Sequence, residues 1–197
     1  GLPDIAARRV RFIGDPDRRI AEDRLRILRL FRFHAQYGVG DLDAAALSAA
    51  IRARHGLRDL SAERVGQEMR KLVVAPRSAE TLATMQDSGI LPVAFAGAGY
   101  TAAFARGVAF GAPAIAPVRL ALIGCRVVED VRRLTERLRL SNAERDRMLA
   151  MVAAGDRLRT PPDTRAARRL LHAVGAEAFR DGVLAAASWS GGAGGAW

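Results

Sequence analysis

Gly14-Asp15-Pro16-Asp17-Arg18-Arg19-Ile20-Ala21-Glu22-Asp23-Arg24-Leu25-Arg26-Ile27-Leu28-Arg29-Leu30-Phe31-Arg32-Phe33 is the stretch on which the reading of this chain turns. Asp15 suits an N-cap and Pro16 the first helical position, so a helix is predicted to enter there. It is expected to run to Tyr37, where Gly38 offers a left-handed stop. Ile20, Leu25, Leu28, Phe31 and Phe33 supply an apolar side that fixes it to a core. Asp23, Arg26, Arg29 and Arg32 recur every three residues. Each such step turns a helix by about 300°, so the four form a slowly drifting row about 13–14 Å long. An acid followed by three forked cations reaches about as far as a nucleotide with its phosphates. The competing reading is a solvated basic helix whose Glu22 and Asp23 answer the macrodipole.

Working outward, apolar residues keep recurring at three and four, and caps punctuate them. Further helices are predicted from Asp43 to before Gly56, from Ser61 to before Pro76, and from Ser78 to Gly89. Others follow over 101–110, 118–126, 128–139, 142–153, 163–174 and 176–187. Ser141 with Glu144 forms a capping box, and Gly155 is expected to close that helix. No alternating strand is visible, so the fold class is all-α, without significant sheet. A boundary is placed between residues 77 and 78, with a flexible connection near 111–117. Residues 188–197 have no core-forming pattern and read as a disordered or truncated tail.

The 197 residues carry 31 Lys+Arg against 21 Asp+Glu, a net charge of +10, and are half apolar. That excludes a disordered basic tail and favours a polyanionic partner, nucleic acid first. No apolar run approaches the roughly 18 residues of a membrane span. The start, Gly1-Leu2-Pro3-Asp4, is neither a signal peptide nor an initiator Met, and reads as a piece of a longer chain. Cys125, the single cysteine, fits a reducing, cytoplasmic setting and an inert core role. Lys71 is the only lysine. The arginines therefore reflect either coding bias or a use for planar, bidentate contacts.

His34, His55 and His172 are scattered and give no metal site; His34 reads as a partly buried structural residue. Asp15-Pro16-Asp17 and Asp41-Leu42-Asp43 read as caps at helix starts rather than metal carboxylates. Gly97-Ala98-Gly99 follows no strand and is not a phosphate loop. Basic stretches at Arg132-Arg133, Arg137-Leu138-Arg139, Arg165 and Arg168-Arg169 are solvated faces or RNA contacts. Asp23 and Arg26 have a sharper property: a carboxylate only accepts hydrogen bonds and a guanidinium only donates. Cytosine and adenine show an exocyclic amine beside a ring-nitrogen acceptor, whereas guanine and uracil show the reverse. An Asp23–Arg26 pair therefore suits C and A.

The same residues resemble the class II tRNA nucleotidyltransferases, the CCA-adding enzymes, and the related bacterial poly(A) polymerases. The resemblance rests on Val10 to Pro16, on Glu22-Asp23-x-x-Arg26, on Leu28-Arg29 and Arg32-Phe33, and on Leu60-Ser61-Ala62-Glu63-Arg64-Val65. Arg119 to Ile123 and Leu138 to Asn142 add looser similarity. It implies a helical neck over 1–77 carrying base recognition, and a helical, RNA-binding body over 78–187. It implies that Asp23 and Arg26 read the base of CTP or ATP, with Arg29 and Arg32 continuing the nucleotide site. Glu22 would orient Arg26, and Arg19 would support it. The partners implied are nucleotides and the tRNA acceptor end, with no membrane. Mg²⁺ and the catalytic residues would belong to a head domain absent from these residues, so the chain alone is expected to be inactive. A poly(A) polymerase fragment and a non-catalytic helical RNA-binding module are the alternatives.

Overall fold

Side-chain caps written into the sequence set where four of the described helices begin. The computed structural model describes residues 1–191 and contains no strand among them. Its elements are α1 (Leu2–Ala6), α2 (Pro16–Glu22), α3 (Leu25–Tyr37), α4 (Ala44–Ala53), a 3₁₀ turn (Arg54–Asp59), α5 (Ala62–Val73), α6 (Ser78–Asp87) and α7 (Ile90–Phe95). They continue as α8 (Thr101–Ala109), α9 (Ala116–Gly124), α10 (Val128–Leu138), α11 (Asn142–Arg157), α12 (Thr164–Val174) and α13 (Ala176–Trp189). Asp15, Asp43 and Asp163 each accept a backbone N–H at a helix start. The Ser141–Glu144 capping box is formed. No described helix is long and apolar enough to cross a membrane.

The chain divides into two compact units: residues 1–99 with 137–139, and residues 100–136 with 140 onward. In the first, α3 packs on α5 and α6, α2 on α4, and α7 on α6 and the 3₁₀ turn. Leu28, Phe31, Met69, Leu72, Leu82 and Ile90 are fully buried there. In the second, α11 packs along α13 and α9, and α13 also meets α8 and α12. The compact units part at Gly99–Tyr100, because α6 and α7 stay packed on the helices before them. The division at residues 77 and 78 thus lies inside the first unit.

Several local expectations are corrected. The helix predicted from Pro16 to Tyr37 is two helices, broken at Asp23 and Arg24. Gly38 is not left-handed (φ −71°); its lack of a side chain matters because a Cβ would lie 2.6 Å from His34 Nδ1. Ser61 sits at an N-cap without a side-chain bond, and Ser78 is the first helical residue behind Arg77. Gly155 does not end α11. It lies within it, where a Cβ would come within 3.0 Å of Ala185 and Trp189. Pro92 stands inside α7, a helix not anticipated, and α1 was not anticipated either. Ser188 and Trp189 complete α13 rather than opening a tail, and residues 192–197 lie outside the described residues.

The tight α11–α13 seam gives a direct test. A Cβ at Gly182 would lie 2.5 Å from Ala154 Cβ and 3.0 Å from its backbone. Overpacking costs about 1–3 kcal/mol, against roughly 1 kcal/mol gained from helix propensity. Gly182→Ala should therefore lower the urea midpoint; an increase would contradict the packing. His34 gives a second. It is 5% exposed, and burial holds its imidazole below the ordinary range, aided by Arg77 and opposed by Glu80 and Asp41. A base whose folded pKa is depressed stabilises fully above its unfolded value, about 6.5. That contribution is lost as pH falls from there toward the folded value. Stability measured from about pH 7 down to pH 5.5 should fall less steeply in His34→Gln; equal slopes would contradict it.

Candidate functional site

Asp23 is the pivot of the site, and its geometry follows from what an aspartate does to a helix. Its carboxylate competes for nearby backbone N–H groups, which favours caps over helix interiors. Here Asp23 is extended (φ −157°, ψ 109°), and its Oδ1 accepts the Leu25 N–H at 3.1 Å. The chain leaves α2 and re-enters helix as α3 around that contact. The second oxygen, Oδ2, accepts from Arg64 Nη2 of α5 at 2.7 Å. Asp23 is therefore not in one continuous helical row with the arginines. It is a partly exposed carboxylate at a helix break, held from two sides, with lone pairs left over on both oxygens.

Arg26 stands in the first turn of α3. Its Nη1 donates to Glu22 Oε2 at 2.5 Å and to the Arg19 carbonyl at 2.8 Å. Arg19 itself donates to the same Glu22 oxygen at 2.6 Å. The two arginines hold the Glu22 carboxyl below the usual carboxylate range, the hydrogen bond from Arg26 being the largest cause. Glu22 and Arg19 thus anchor one edge of the Arg26 fork.

The rest of the row is not three bare cations. Arg32 Nε donates to Glu68 Oε2 of α5 at 2.5 Å, with both side chains largely buried. Its guanidinium also lies 4.1 Å from the centre of the Phe33 ring. Arg29 is exposed, 5.9 Å from the same ring, and has no carboxylate partner among the described residues. Phe33 is therefore not core. It is half-buried, stacks on Tyr37 at 6.1 Å, and lines a cavity of about 700 Å³ with Ile5, Val10, Ile13, Arg8 and Arg11. The cations do not repel freely because Glu22 and Glu68 each neutralise one.

Arg64 and Glu68 are the residues that sequence reasoning missed. Arg64 lies in the Leu60–Val65 motif, and Glu68 follows it by one helical turn, so both project from α5 toward α3. Other predicted contacts turn inward. Arg133 donates to the Gly124 carbonyl and Asp130, and Arg137 to the carbonyls of Leu57 and Ala94. Arg132, Arg165, Arg168 and Arg169 remain exposed. Cys125 is buried, which pushes its thiol far up. Asp17 of the first Asp-x-Asp triplet is bridged by Arg52. No group of three or more His, Cys, Asp or Glu among the described residues is placed to hold a metal ion.

Comparison with known proteins gives consistent matches. A family described as "Probable RNA and SrmB-binding site of polymerase A" matches residues 41–98. The mitochondrial CCA tRNA nucleotidyltransferase 1 of Mus musculus is 30% identical over 156 residues, covering 77% of this chain and 36% of that enzyme. The CCA-adding enzyme of Bacillus velezensis is 35% identical over 91 residues, 46% of this chain and 23% of that enzyme. A solved CCA-adding enzyme of Bacillus stearothermophilus in complex with CTP shares the fold with a TM-score of 0.71 at 22% identity, covering 97% of this chain and 48% of that one. The chain thus spans about a third of the length of the first of these curated relatives.

The Arg32–Glu68 pair is testable by removing one partner. A buried cation left without its carboxylate costs roughly 3 kcal/mol, more than an apolar replacement of both. Glu68→Ala should destabilise the chain by about that much, and Arg32→Leu with Glu68→Leu should cost less. An Ala variant within about 0.5 kcal/mol of the parent would show that the pair holds nothing.

Proposed function

We propose that this chain is the neck and body region of a tRNA nucleotidyltransferase of the CCA-adding kind, where it selects the incoming nucleotide and grips the RNA. The complete enzyme transfers CMP and AMP from CTP and ATP to the tRNA 3′ end and releases pyrophosphate. Residues 1–77 supply base selection, and the exposed cations of residues 78–187 supply phosphate contacts. The compartment proposed is the cytoplasm, which the single cysteine fits. Mg²⁺ and the transfer step are assigned to a catalytic head outside these residues.

The observation that carries the reading is the pair of anchored, chemically opposite groups at the α2–α3 break. Asp23 is an acceptor fixed by Arg64 and Leu25. Arg26 is a donor fixed by Glu22 and the Arg19 carbonyl. Each is held through part of its hydrogen-bonding capacity and keeps the remainder for a ligand. A base edge offering an amine beside a ring nitrogen satisfies both; one offering a carbonyl beside N–H presents acceptor to acceptor and donor to donor. Discrimination of that kind arises because a mismatched edge leaves polar groups unpaired. Arg29, exposed and without a carboxylate, is left for the nucleotide phosphates. Arg32 contributes through Phe33 and Glu68, as a support.

Nucleotide incorporation by the complete protein on tRNA lacking its 3′ end tests the reading. Addition of C before A is the expected result. Addition of A alone makes the protein a poly(A) polymerase, and no incorporation by the complete protein supports a non-catalytic RNA-binding module.

A further inference from the structure

Half-buried arginines in this chain almost always find an oxygen. In the second unit, Arg106 Nε donates to the Ser188 carbonyl, Arg119 to the carbonyls of Ala112 and Pro113, and Arg147 to Asp181. Arg126 breaks the pattern. Its guanidinium lies 4.6 Å from the centre of the Tyr100 ring and 5.2 Å from that of Trp189. No side-chain hydrogen bond or ion pair engages it among the described residues, and its Nη1 is buried without a partner. Trp189 Nε1 is buried without a partner as well.

Both orphans belong to one place. Arg126 and Trp189 line a cavity of about 290 Å³ with Arg159, Ala186 and Ser190. Arginine and the indole N–H are donors only, so what completes the site is an acceptor. The charge balance says which kind. Arg106 and Arg159 both act on Arg126 as like charges, with burial the largest influence on it. Against these three cations stand Asp156, taken by Arg159, and Asp130, taken by Arg133 and by the backbone N–H groups of Arg126 and Val127. A neutral water could accept from both donors but would leave the excess positive charge unanswered, whereas an oxyanion answers both. An aromatic-braced arginine beside a second arginine also suits a tetrahedral oxyanion, whose oxygens point in several directions, better than a planar carboxylate, which a single fork satisfies.

We infer that the cavity lined by Arg126, Trp189 and Arg159 is a phosphate-binding subsite that takes a backbone phosphate of bound RNA. The assignment to RNA rests on the proposed function; the assignment to phosphate does not. Arg126 supplies the charge and Trp189 a neutral donor, while the Tyr100 ring packs against the guanidinium.

The test uses the complete protein with two variants. Arg126→Gln removes the charge; Trp189→Phe keeps an aromatic ring against Arg126 and removes the N–H together with part of the indole. Binding of tRNA is measured across a salt series, and thermal unfolding is followed in inorganic phosphate against chloride at equal ionic strength. In Arg126→Gln the slope of log affinity against log salt should become shallower by about 0.9, one phosphate contact. In Trp189→Phe affinity should fall with the slope unchanged. Phosphate should raise the melting temperature of the parent more than that of either variant. Parental tRNA affinity, slope and phosphate response in both variants overturn the subsite while leaving the proposed function standing. A parent that ignores tRNA yet keeps an Arg126-dependent response to phosphate overturns the RNA assignment and upholds the phosphate site.

Discussion

A guanidinium keeps its charge at any pH at which a protein stays folded, so every arginine that is buried must be given acceptors. This chain has almost no lysine and meets that constraint in a consistent way: it spends its arginines on the carbonyls that helices leave unpaired at their C-terminal ends. Arg8 reaches Tyr37 O at the end of α3, and Arg133 reaches Gly124 O at the end of α9. Arg137 joins Leu57 O to Ala94 O, and Arg70 takes the carbonyls of Leu138 and Arg139. Short helices in sequence-distant segments are tied together by these forks, which favour the dipole as well as the hydrogen bond. Neither coding bias nor nucleic-acid binding is needed to explain those positions.

The candidate site is the same principle used partially. Glu22 and the Arg19 carbonyl take one edge of Arg26 and leave the fork otherwise open. Arg64 and the Leu25 N–H take one lone pair from each Asp23 oxygen. Arg32 is committed to Glu68, and that commitment pins α3 to α5, so that Asp23, Arg26 and Arg64 share one framework. What distinguishes the positions proposed for binding, Arg26, Arg29 and Arg126, is unspent hydrogen-bonding capacity in an ordered setting, which is what preorganised recognition requires.

Much of the fold was legible. Caps at Asp15, Asp43 and Ser141 are local chemistry, and the three-to-four apolar recurrence is a local period, so the helices and the all-α class follow from the sequence. The break at Asp23 was not, because the apolar pattern runs on through it; an aspartate that turns back on the Leu25 N–H leaves hydrophobic spacing untouched. Gly155 and Gly38 look like helix stops in sequence, yet they serve as points of close approach, which only the partner helix or the His34 ring reveals. The row Asp23, Arg26, Arg29 and Arg32 was visible by spacing, but its neutralisation by Glu68 was not, since the pairing joins positions far apart in sequence. Phe33 illustrates the same limit: an aromatic at helical spacing reads as core, while here it braces Arg32 and Arg29 at the surface.

The central claim is that base choice resides in Asp23 and Arg26, held at the α2–α3 break by Arg64 and Glu22. The measurement that bears on it most directly is the ratio of C and A incorporation to U and G incorporation by the complete protein and by its Asp23→Ala variant on the same tRNA. The account predicts that the ratio collapses toward one in the variant while RNA binding persists. An unchanged ratio at reduced rate would place base selection elsewhere and reduce Asp23 to the cap of α3.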